Sequence, residues 1–321
     1  MAISRKFQFV MFVLFLTSAL CNSASAQYKR CAVLVKEGKF VTSDQISAKE
    51  PGLYGPKDNL DGPALENKYY APFCPVMGSH IYLDCIGKRQ HVPVLASFGT
   101  DTKRHYRHAW GEDIWRSGGS PKPGTACFGA LVNGEVVSPQ WDNIKSLKIE
   151  IVSDKPEDTE IKFTFKDWQV GGKTVNAVWT LSTHWEARWI KHRFQVSADF
   201  GHALVFGTTK HLGDDGYVKD TAKATLHGLG IEHTYDSLND RQSLIALKSA
   251  QANFKGYFSN TILTGIVTAP DKNGLVTAWH LVSWAEEPAP LFKQENWQSL
   301  LFKGAQSEFF NGEMLCFFCS L

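Results

Sequence analysis

The densest group of side chains able to do chemistry lies at positions 103–113. This stretch carries two histidines, a tyrosine, two arginines, a tryptophan and two acids, in the order Lys103-Arg104-His105-Tyr106-Arg107-His108-Ala109-Trp110-Gly111-Glu112-Asp113. Histidine exchanges protons near neutral pH, tyrosine can donate one, and arginine grips a carboxylate with two parallel hydrogen bonds. The stretch therefore predicts proton transfer beside a bound anion. The alternative is a solvated loop whose charges pair with one another.

The faces of this stretch follow from its extended conformation, in which alternate side chains point the same way. Tyr106 and His108 would share one face, and His105 and Arg107 the other. Trp110 offers a flat surface on which a sugar ring could stack. An earlier turn at 61–67 ends in Glu66-Asn67, which adds a second polar group at the start of the domain.

Further polar residues are scattered along the second half of the chain: His184, Arg188, Arg193, His211, His227 and His233. Arg193 shares a strand face with Trp189 and Lys191, an arrangement that suits an open, ligand-facing sheet. His192 and His280 alternate with apolar neighbours and are predicted to be core residues. His227 and His233 flank a predicted Gly-rich turn at 228–230, but their spacing matches no metal motif, so a metal requirement stays open.

The elements that must position these residues are strands. Apolar and polar residues alternate at 146–152 and 161–166, and further strands are predicted at 175–182, 189–197 and 275–284. Gly171-Gly172 and the segments 213–216 and 271–274 supply turns, and 295–301 is the best candidate for a short helix. Many strands and few helices predict an all-β fold, a large antiparallel sandwich. A propeller is disfavoured because no repeat of blade length occurs.

The N-terminus has the layout of a secretory signal peptide. Arg5 and Lys6 precede an apolar run at 7–20, and Ala24-Ser25-Ala26 forms a small-x-small cleavage site. A short membrane anchor is the alternative. We expect a signal peptide at 1–26 and a single β-sandwich domain at 27–321, secreted or periplasmic. No later segment is apolar enough to cross a membrane.

Charge and cysteine content exclude several partners and cofactors. Removal of 1–26 lowers Lys plus Arg from 34 to 32 against 32 Asp plus Glu, so the mature chain is formally neutral and has no broad attraction for nucleic acid. We expect buried thiols, with Cys74 and Cys85 close enough in sequence to bridge a hairpin. Cys316 and Cys319 have no second pair to complete a zinc site. No phosphate-binding loop or dinucleotide fingerprint occurs, so no cofactor is expected.

Two stretches carry a resemblance to a known family. Residues 61–67, followed by Tyr69-Tyr70, resemble the GPAWEND opening of the bacterial domain-of-unknown-function family 4861. Residues 105–113, followed by Gly118-Gly119-Ser120 and Gly129-Ala130, resemble that family's YH…DWGxD…GxSxGxGxxA block. The resemblance spans about residues 50–290. Leu65 stands where the family has Trp, Ala109 where it has Asp, and Pro121-Lys122-Pro123 interrupts the Gly-rich run.

The resemblance implies an exported, galactose-mutarotase-like supersandwich with few short helices, found with genes for degrading uronic-acid polysaccharides. We therefore expect an enzyme that acts on uronic-acid oligo- or polysaccharides by β-elimination, as a lyase or dehydratase. Two alternatives stay open. One is a non-catalytic carbohydrate-binding module, and the other is a glycoside hydrolase with Glu66 and Asp113 as its two carboxylates.

Elimination needs a cation on the carboxylate, a base and an acid. Arg107 or Arg193 is the candidate cation, His108 or His105 the base, and Tyr106 the acid. The remaining candidates for substrate binding are Trp110, Glu66, Asn67, Asp113 and His211.

Overall fold

The computed structural model describes residues 31–36, 39–40, 62–74, 76–77, 80–95, 110–114, 126–210, 215–220, 226–233, 241–284 and 288. The strands of the first part are β1 (Ala32–Lys36), β2 (Lys39–Phe40), β3 (Gly62–Leu65), β4 (Tyr70–Phe73), β5 (Val76–Met77), β6 (His80–Ile81), β7 (Asp84–Lys88) and β8 (Gly111–Asp113). Those of the middle are β9 (Cys127–Val132), β10 (Glu135–Val137), β11 (Ser146–Lys155), β12 (Asp158–Val170), β13 (Lys173–Thr183) and β14 (Ile190–Gln195). The last are β15 (Leu204–Thr209), β16 (Asp215–Asp220), β17 (Leu226–His233), β18 (Arg241–Lys248), β19 (Phe254–Ser259), β20 (Leu263–Thr268) and β21 (Leu275–Trp284).

These strands form three large antiparallel sheets and one small hairpin. The six-stranded sheet has the order β2-β1-β3-β4-β7-β8, the five-stranded sheet β10-β9-β15-β20-β19, and the eight-stranded sheet β11-β12-β13-β14-β21-β18-β17-β16. Strands β5 and β6 pair with each other. The predicted all-β architecture is confirmed, and each predicted strand lies within or around an observed one.

The longest hairpin shows how local sequence dictates these elements. Along β12 buried and solvent-facing residues alternate, and Phe163 pairs with Trp179 of β13. Gly171 and Gly172 join the two strands with φ values of 56° and 76°. Positive φ at both central residues defines the type I′ turn, which glycine adopts at least cost. The predicted turn at Gly171-Gly172 is therefore confirmed, and the turn at 271–274 also joins two strands.

The core lies between the eight-stranded sheet and the other two sheets. Phe128 of the five-stranded sheet stacks on Phe194 of the eight-stranded sheet, with ring centroids 4.9 Å apart. The six-stranded sheet joins the same core, because Tyr70 donates its hydroxyl hydrogen to the His280 carbonyl at 2.8 Å. Inward residues of all three sheets form one continuous buried cluster. Face-to-face packing of this kind is the sandwich that the strand pattern predicts.

Several single-residue predictions can be compared with this core. His192 and His280 are fully buried, as predicted. Trp189 is buried as well, so the prediction that it lies on an open face with Arg193 is wrong. The segment 228–230 is part of β17 rather than a turn, and His227 is buried with its ring stacked on Phe254.

The turn predicted at 213–216 differs from the structure at its last two residues. Asp215 and Gly216 belong to β16, since pairing with β17 outweighs their turn-forming tendency. The predicted helix at 295–301 lies outside the described residues.

The cysteines of the described part are buried. Cys31, Cys74 and Cys127 keep free thiols, so no bridge joins Cys74 to Cys85. Burial raises the pKa of the Cys74 and Cys127 thiols to about 12, which makes them unreactive. Cys316 and Cys319 lie outside the described residues. Within the described part, no helix is long and apolar enough to span a membrane.

Candidate functional site

The predicted site residues fall into three groups. Outside the described residues lie His105, Tyr106, Arg107, His108 and His211. Glu66 and Asn67 directly follow β3, and Trp110 and Asp113 flank or end β8; the side chain of Asp113 is not described. Arg193 lies on β14, with its side chain exposed. The described part therefore tests the surroundings of Glu66, Asn67, Trp110 and Arg193.

Glu66 forms a fully buried ion pair with Lys88 at the end of the six-stranded sheet. Lys88 Nζ lies 2.7 Å from Glu66 Oε2, and neither side chain is exposed. The backbone N–H groups of Val94 and Leu95 donate to the same carboxylate at 3.0–3.1 Å. Burial raises the pKa of Glu66 and lowers that of Lys88, and the contact between them opposes both shifts. The pair ties three separate chain segments together.

Asn67 shapes the turn that leads from β3 into β4. Its side-chain oxygen accepts hydrogen bonds from the backbone N–H groups of Tyr69 and Tyr70 at 2.9 and 3.0 Å. Its carbonyl accepts a hydrogen bond from Lys88 Nζ at 2.8 Å. Glu66 and Asn67 are both fully buried, which differs from the predicted contact with substrate. They hold the turn that carries Lys68 and Tyr69 in place.

Lys68 and Tyr69, which directly follow Asn67, belong to a group that we call the Tyr69 cluster: Lys68, Tyr69, His91 and Arg188. The Arg188 guanidinium carbon lies 3.7 Å from the centre of the Tyr69 ring, a close cation–π contact. His91 meets the same ring edge-on, with centroids 5.2 Å apart. A histidine and an arginine therefore both contact the ring of Tyr69, and the three residues come from separate parts of the chain.

The segment that carries Arg188 is fastened to this turn. Lys68 donates its backbone N–H to the Trp185 carbonyl at 2.8 Å, and its ammonium pairs with Glu186 at 2.9 Å. The same segment contacts the buried ion pair, since Lys88 Nζ lies 4.4 Å from the centre of the Trp185 ring. These contacts fix Arg188 relative to Tyr69.

His91 is held neutral by its position. Its pKa is lowered by burial first, and then by the positive charges of Lys68, Arg188 and Lys88, while Glu186 opposes the shift. The residue as a whole is half-buried, but its Nε2 atom is buried and has no hydrogen-bond partner within the described part of the chain. A neutral imidazole surrounded by cations can accept a proton from a ligand that those cations hold.

A second ion pair connects β7 to β8. Arg89 Nη2 lies 2.7 Å from Glu112 Oε2, and the backbone N–H of Arg89 donates to the Trp110 carbonyl at 2.8 Å. Trp110 is half-buried and packs against the apolar cluster that contains Leu95. Leu95 and Trp110 are the described residues on either side of 96–109, and both are held at the outer face of the six-stranded sheet.

Arg193 does not belong to this site. It lies on the exposed face of the eight-stranded sheet, directly between Thr180 of β13 and Thr277 of β21. The Tyr69 cluster instead lies at the end of the six-stranded sheet.

Sequence reasoning missed Lys88, His91 and Trp185 as members of a site. One signal was present for Lys88, since a lysine that follows Cys85-Ile86-Gly87 in a short apolar strand demands a buried partner. His91 and Trp185 carry no local signal, because their neighbours come from distant parts of the sequence. Arg188 stands out in the sequence only as one of several scattered polar residues.

No described side chains form a metal site: within the described ranges, no three His, Cys, Asp or Glu residues lie close enough together to hold an ion.

The sequence was compared with known families and proteins. The model of a family described as Domain of unknown function (DUF4861) matches residues 20–307. No curated protein matches the chain.

Proposed function

The chain belongs to the DUF4861 family, and from that premise we propose that it is a carbohydrate-active enzyme that cleaves uronic-acid-containing oligo- or polysaccharides by β-elimination. The observation that carries the proposal is the contact of His91 and Arg188 with the Tyr69 ring, together with the lowered pKa of His91, which burial and then the neighbouring cations cause. A secreted or periplasmic location, as the N-terminal sequence predicts, would bring the protein to such saccharides.

Binding of the sugar acid is assigned to Arg188 and Lys68. A carboxylate that bridges these cations would lose part of its negative charge to them, which acidifies the adjacent C–H bond. Arg188 is held in place by the Tyr69 ring below it, so little side-chain entropy is lost on binding.

Proton transfer is assigned to His91 and Tyr69. His91 accepts the proton from the carbon next to the carboxylate, and the electron pair of that C–H bond forms a C=C bond as the neighbouring C–O bond breaks. Tyr69 gives its hydroxyl proton to the departing oxygen. The products are an unsaturated sugar acid and a saccharide with a new hydroxyl group, so atoms and electrons balance without a cofactor.

The motif at 105–108 supplies competing candidates for the same roles. His108 or His105 as base, Tyr106 as acid and Arg107 as carboxylate ligand remain predictions from the sequence, because these residues lie outside the described part of the chain. Trp110 remains the proposed stacking surface, with Asp113 and His211 as further ligands. Glu66 and Asn67 are assigned to positioning, because both are buried.

The alternative functions are supported less well. A hydrolase would need Glu66 as acid or base, but its carboxylate is occupied by Lys88 and two backbone N–H groups. A pure binding module would not need a neutral histidine beside a tyrosine and an arginine.

The test is incubation with a panel of uronic-acid oligosaccharides while absorbance from a new conjugated C=C bond is followed. We expect turnover that falls about 100-fold or more in His91→Gln and in Tyr69→Phe, as for loss of an acid or base. Because neutral His91 is the active form, kcat/KM should decline only as the pH falls below the ordinary histidine value near 6.5.

The matched control is His202→Gln, which replaces another half-buried histidine and should keep turnover. Binding with no change in absorbance for the natural chain would exclude elimination. Full turnover in His91→Gln together with loss in His108→Gln would transfer the role of base to His108.

A further inference from the structure

A row of polar side chains crosses the exposed face of the eight-stranded sheet at one register. Neighbouring strands place these residues side by side, and we call them the Arg193 row: Glu150, Lys162, Thr180, Arg193, Thr277 and Lys248. Directly paired residues of an antiparallel sheet point to the same face. All six are exposed or half-exposed. The row therefore forms one continuous strip perpendicular to the strands.

The cations of the row are evenly spaced. Lys162, Arg193 and Lys248 lie on β12, β14 and β18, each separated by one intervening strand. Neighbouring strands are about 4.8 Å apart, so the cations recur every ~9.6 Å. Between them Thr180 and Thr277 present hydroxyl groups. Alternating charges and hydroxyls match a chain whose units each carry a carboxylate and several hydroxyls.

The surrounding face has a local surplus of positive charge. At paired positions on this face, the described side chains include seven basic residues: Lys148, Lys155, Lys162, Lys166, Lys191, Arg193 and Lys248. The acidic residues at such positions are Glu150, Asp158 and Glu160. The chain without residues 1–26 is formally neutral, so this surplus is a property of the face. Such a face attracts a polyanion.

The same face is hollowed beside the row. Asn176, Val178 and Gln195 line a shallow groove, and Val178 pairs with Gln195 two residues along each strand from Thr180 and Arg193. Polar and apolar side chains both line this groove, among them Lys173 and Asp199. Such a groove next to a row of cations allows a sugar ring to lie down while its carboxylate meets a guanidinium or ammonium.

We propose that the Arg193 row is a binding surface for an extended polyuronate, separate from the Tyr69 cluster. The choice of a polyuronate as occupant rests on the proposed function; the charge and the register of the row do not. Such a surface would hold the polymer on the enzyme while one of its sugars is processed elsewhere.

The test is affinity electrophoresis through gels that contain polygalacturonate, with methyl-esterified polygalacturonate as the uncharged comparison. We expect retardation by the charged polymer alone, weakening as salt is added. Arg193→Ala/Lys248→Ala should bind about tenfold more weakly, which corresponds to about 1.4 kcal/mol. Lys255→Ala/Lys272→Ala removes the same charge from exposed positions elsewhere and should bind within about twofold of the natural chain.

Two outcomes would overturn this surface: equal retardation of the row variant and the natural chain, or equal losses in the row variant and the control variant. Thermal melting of both variants confirms that they are folded. Row-dependent binding without any new C=C absorbance would leave the surface standing and exclude elimination. Turnover without row-dependent binding would support elimination and overturn the proposed binding surface.

Discussion

At the scale of single residues, the buried Glu66–Lys88 pair stabilises the fold only because both charges have close partners. Two charges removed from water are stable only when each finds close partners. Glu66 has Lys88 and two backbone N–H groups, and Lys88 has Glu66, the Asn67 carbonyl and the face of Trp185. Asn67 directly precedes Lys68 and Tyr69 of the cluster, and the Trp185 carbonyl accepts the backbone N–H of Lys68. The pair therefore couples the stability of the sheet end to the geometry of the site.

Lys88→Met tests this pair. The variant leaves the Glu66 carboxylate buried without its counter-charge, so we expect the free energy of unfolding to fall by about 3–5 kcal/mol. Glu66→Gln/Lys88→Met removes both charges and should recover a large part of that loss. Urea denaturation measures all three proteins.

The matched control is Lys148→Met, which breaks the exposed pair with Glu150 at 2.9 Å. An exposed pair contributes less than about 1 kcal/mol. If Lys88→Met were no more destabilising than Lys148→Met, the buried pair would not hold this part of the fold.

At the scale of elements, the β12–β13 turn is a sensitive point. Both of its glycines have positive φ, but their surroundings differ. A Cβ at Gly172 would meet nothing, whereas a Cβ at Gly171 would overlap the His202 ring. A substitution at Gly172 therefore measures the cost of the backbone conformation alone, and the same substitution at Gly171 adds the cost of a steric clash.

Gly172→Ala should cost about 1–2 kcal/mol, the price of a left-handed conformation for a residue with a Cβ. Gly171→Ala should cost more, because His202 must also move. Gly134→Ala, at another two-residue turn with φ of 84° and open space, should match Gly172→Ala. Equal melting temperatures for the Gly171 and Gly172 variants would contradict the role of His202.

The contact between β7 and β21 joins two sheets at the edge of the site. A Cβ at Gly87 would overlap the indole of Trp284, so the absence of a side chain there lets the two strands approach. Gly87 directly precedes Lys88, and Arg89 lies over the Trp284 ring at 5.2 Å. Close packing of β7 on β21 at Gly87 therefore fixes the positions of Lys88 and Arg89.

Gly87→Ala should therefore destabilise the protein by about 1–3 kcal/mol through overpacking. Gly87→Ala/Trp284→Leu provides room for the added methyl group, so the two substitutions should cost less together than the sum of their separate costs. Strict additivity in urea denaturation would show that the two residues do not compete for space.

At the scale of the whole molecule, two neutral histidines lie in the core between the sheets. His192 and His280 are fully buried, and Trp179 donates its indole N–H to His192 Nδ1 at 3.2 Å. Burial lowers the pKa of His192 well below its ordinary value and that of His280 to about 3. In the folded chain these two imidazoles therefore stay unprotonated at pH values below about 6.5, where the same imidazoles are protonated in the unfolded chain.

Stability should consequently fall as the pH drops from about 6.5 towards 3, with each buried histidine contributing up to about 1.4 kcal/mol per pH unit. Urea denaturation at pH 7, 6, 5 and 4 measures this slope. His280→Leu should flatten it. An unchanged slope in His280→Leu would show that His280 takes up no extra proton on unfolding.

The fold was predictable because its signals are local. Alternation in β11 and β12 identifies both strands and their buried faces, and Gly171-Gly172 identifies the turn between β12 and β13. Asn133-Gly134, at the β9–β10 turn, is an equally clear local signal for a hairpin turn. Prediction failed at 228–230, where glycines lie inside a strand because pairing on both sides stabilises it.

Sequence alone determined the all-β class, the buried state of His192 and His280, and the family. These properties depend on residue type and on periods of two residues, which any local window contains. Only the tertiary structure brought Tyr69, His91 and Arg188 together and placed Arg193 on another sheet. The reason is physical: strand order and register are set by packing across the whole core, and no short stretch of sequence contains that information.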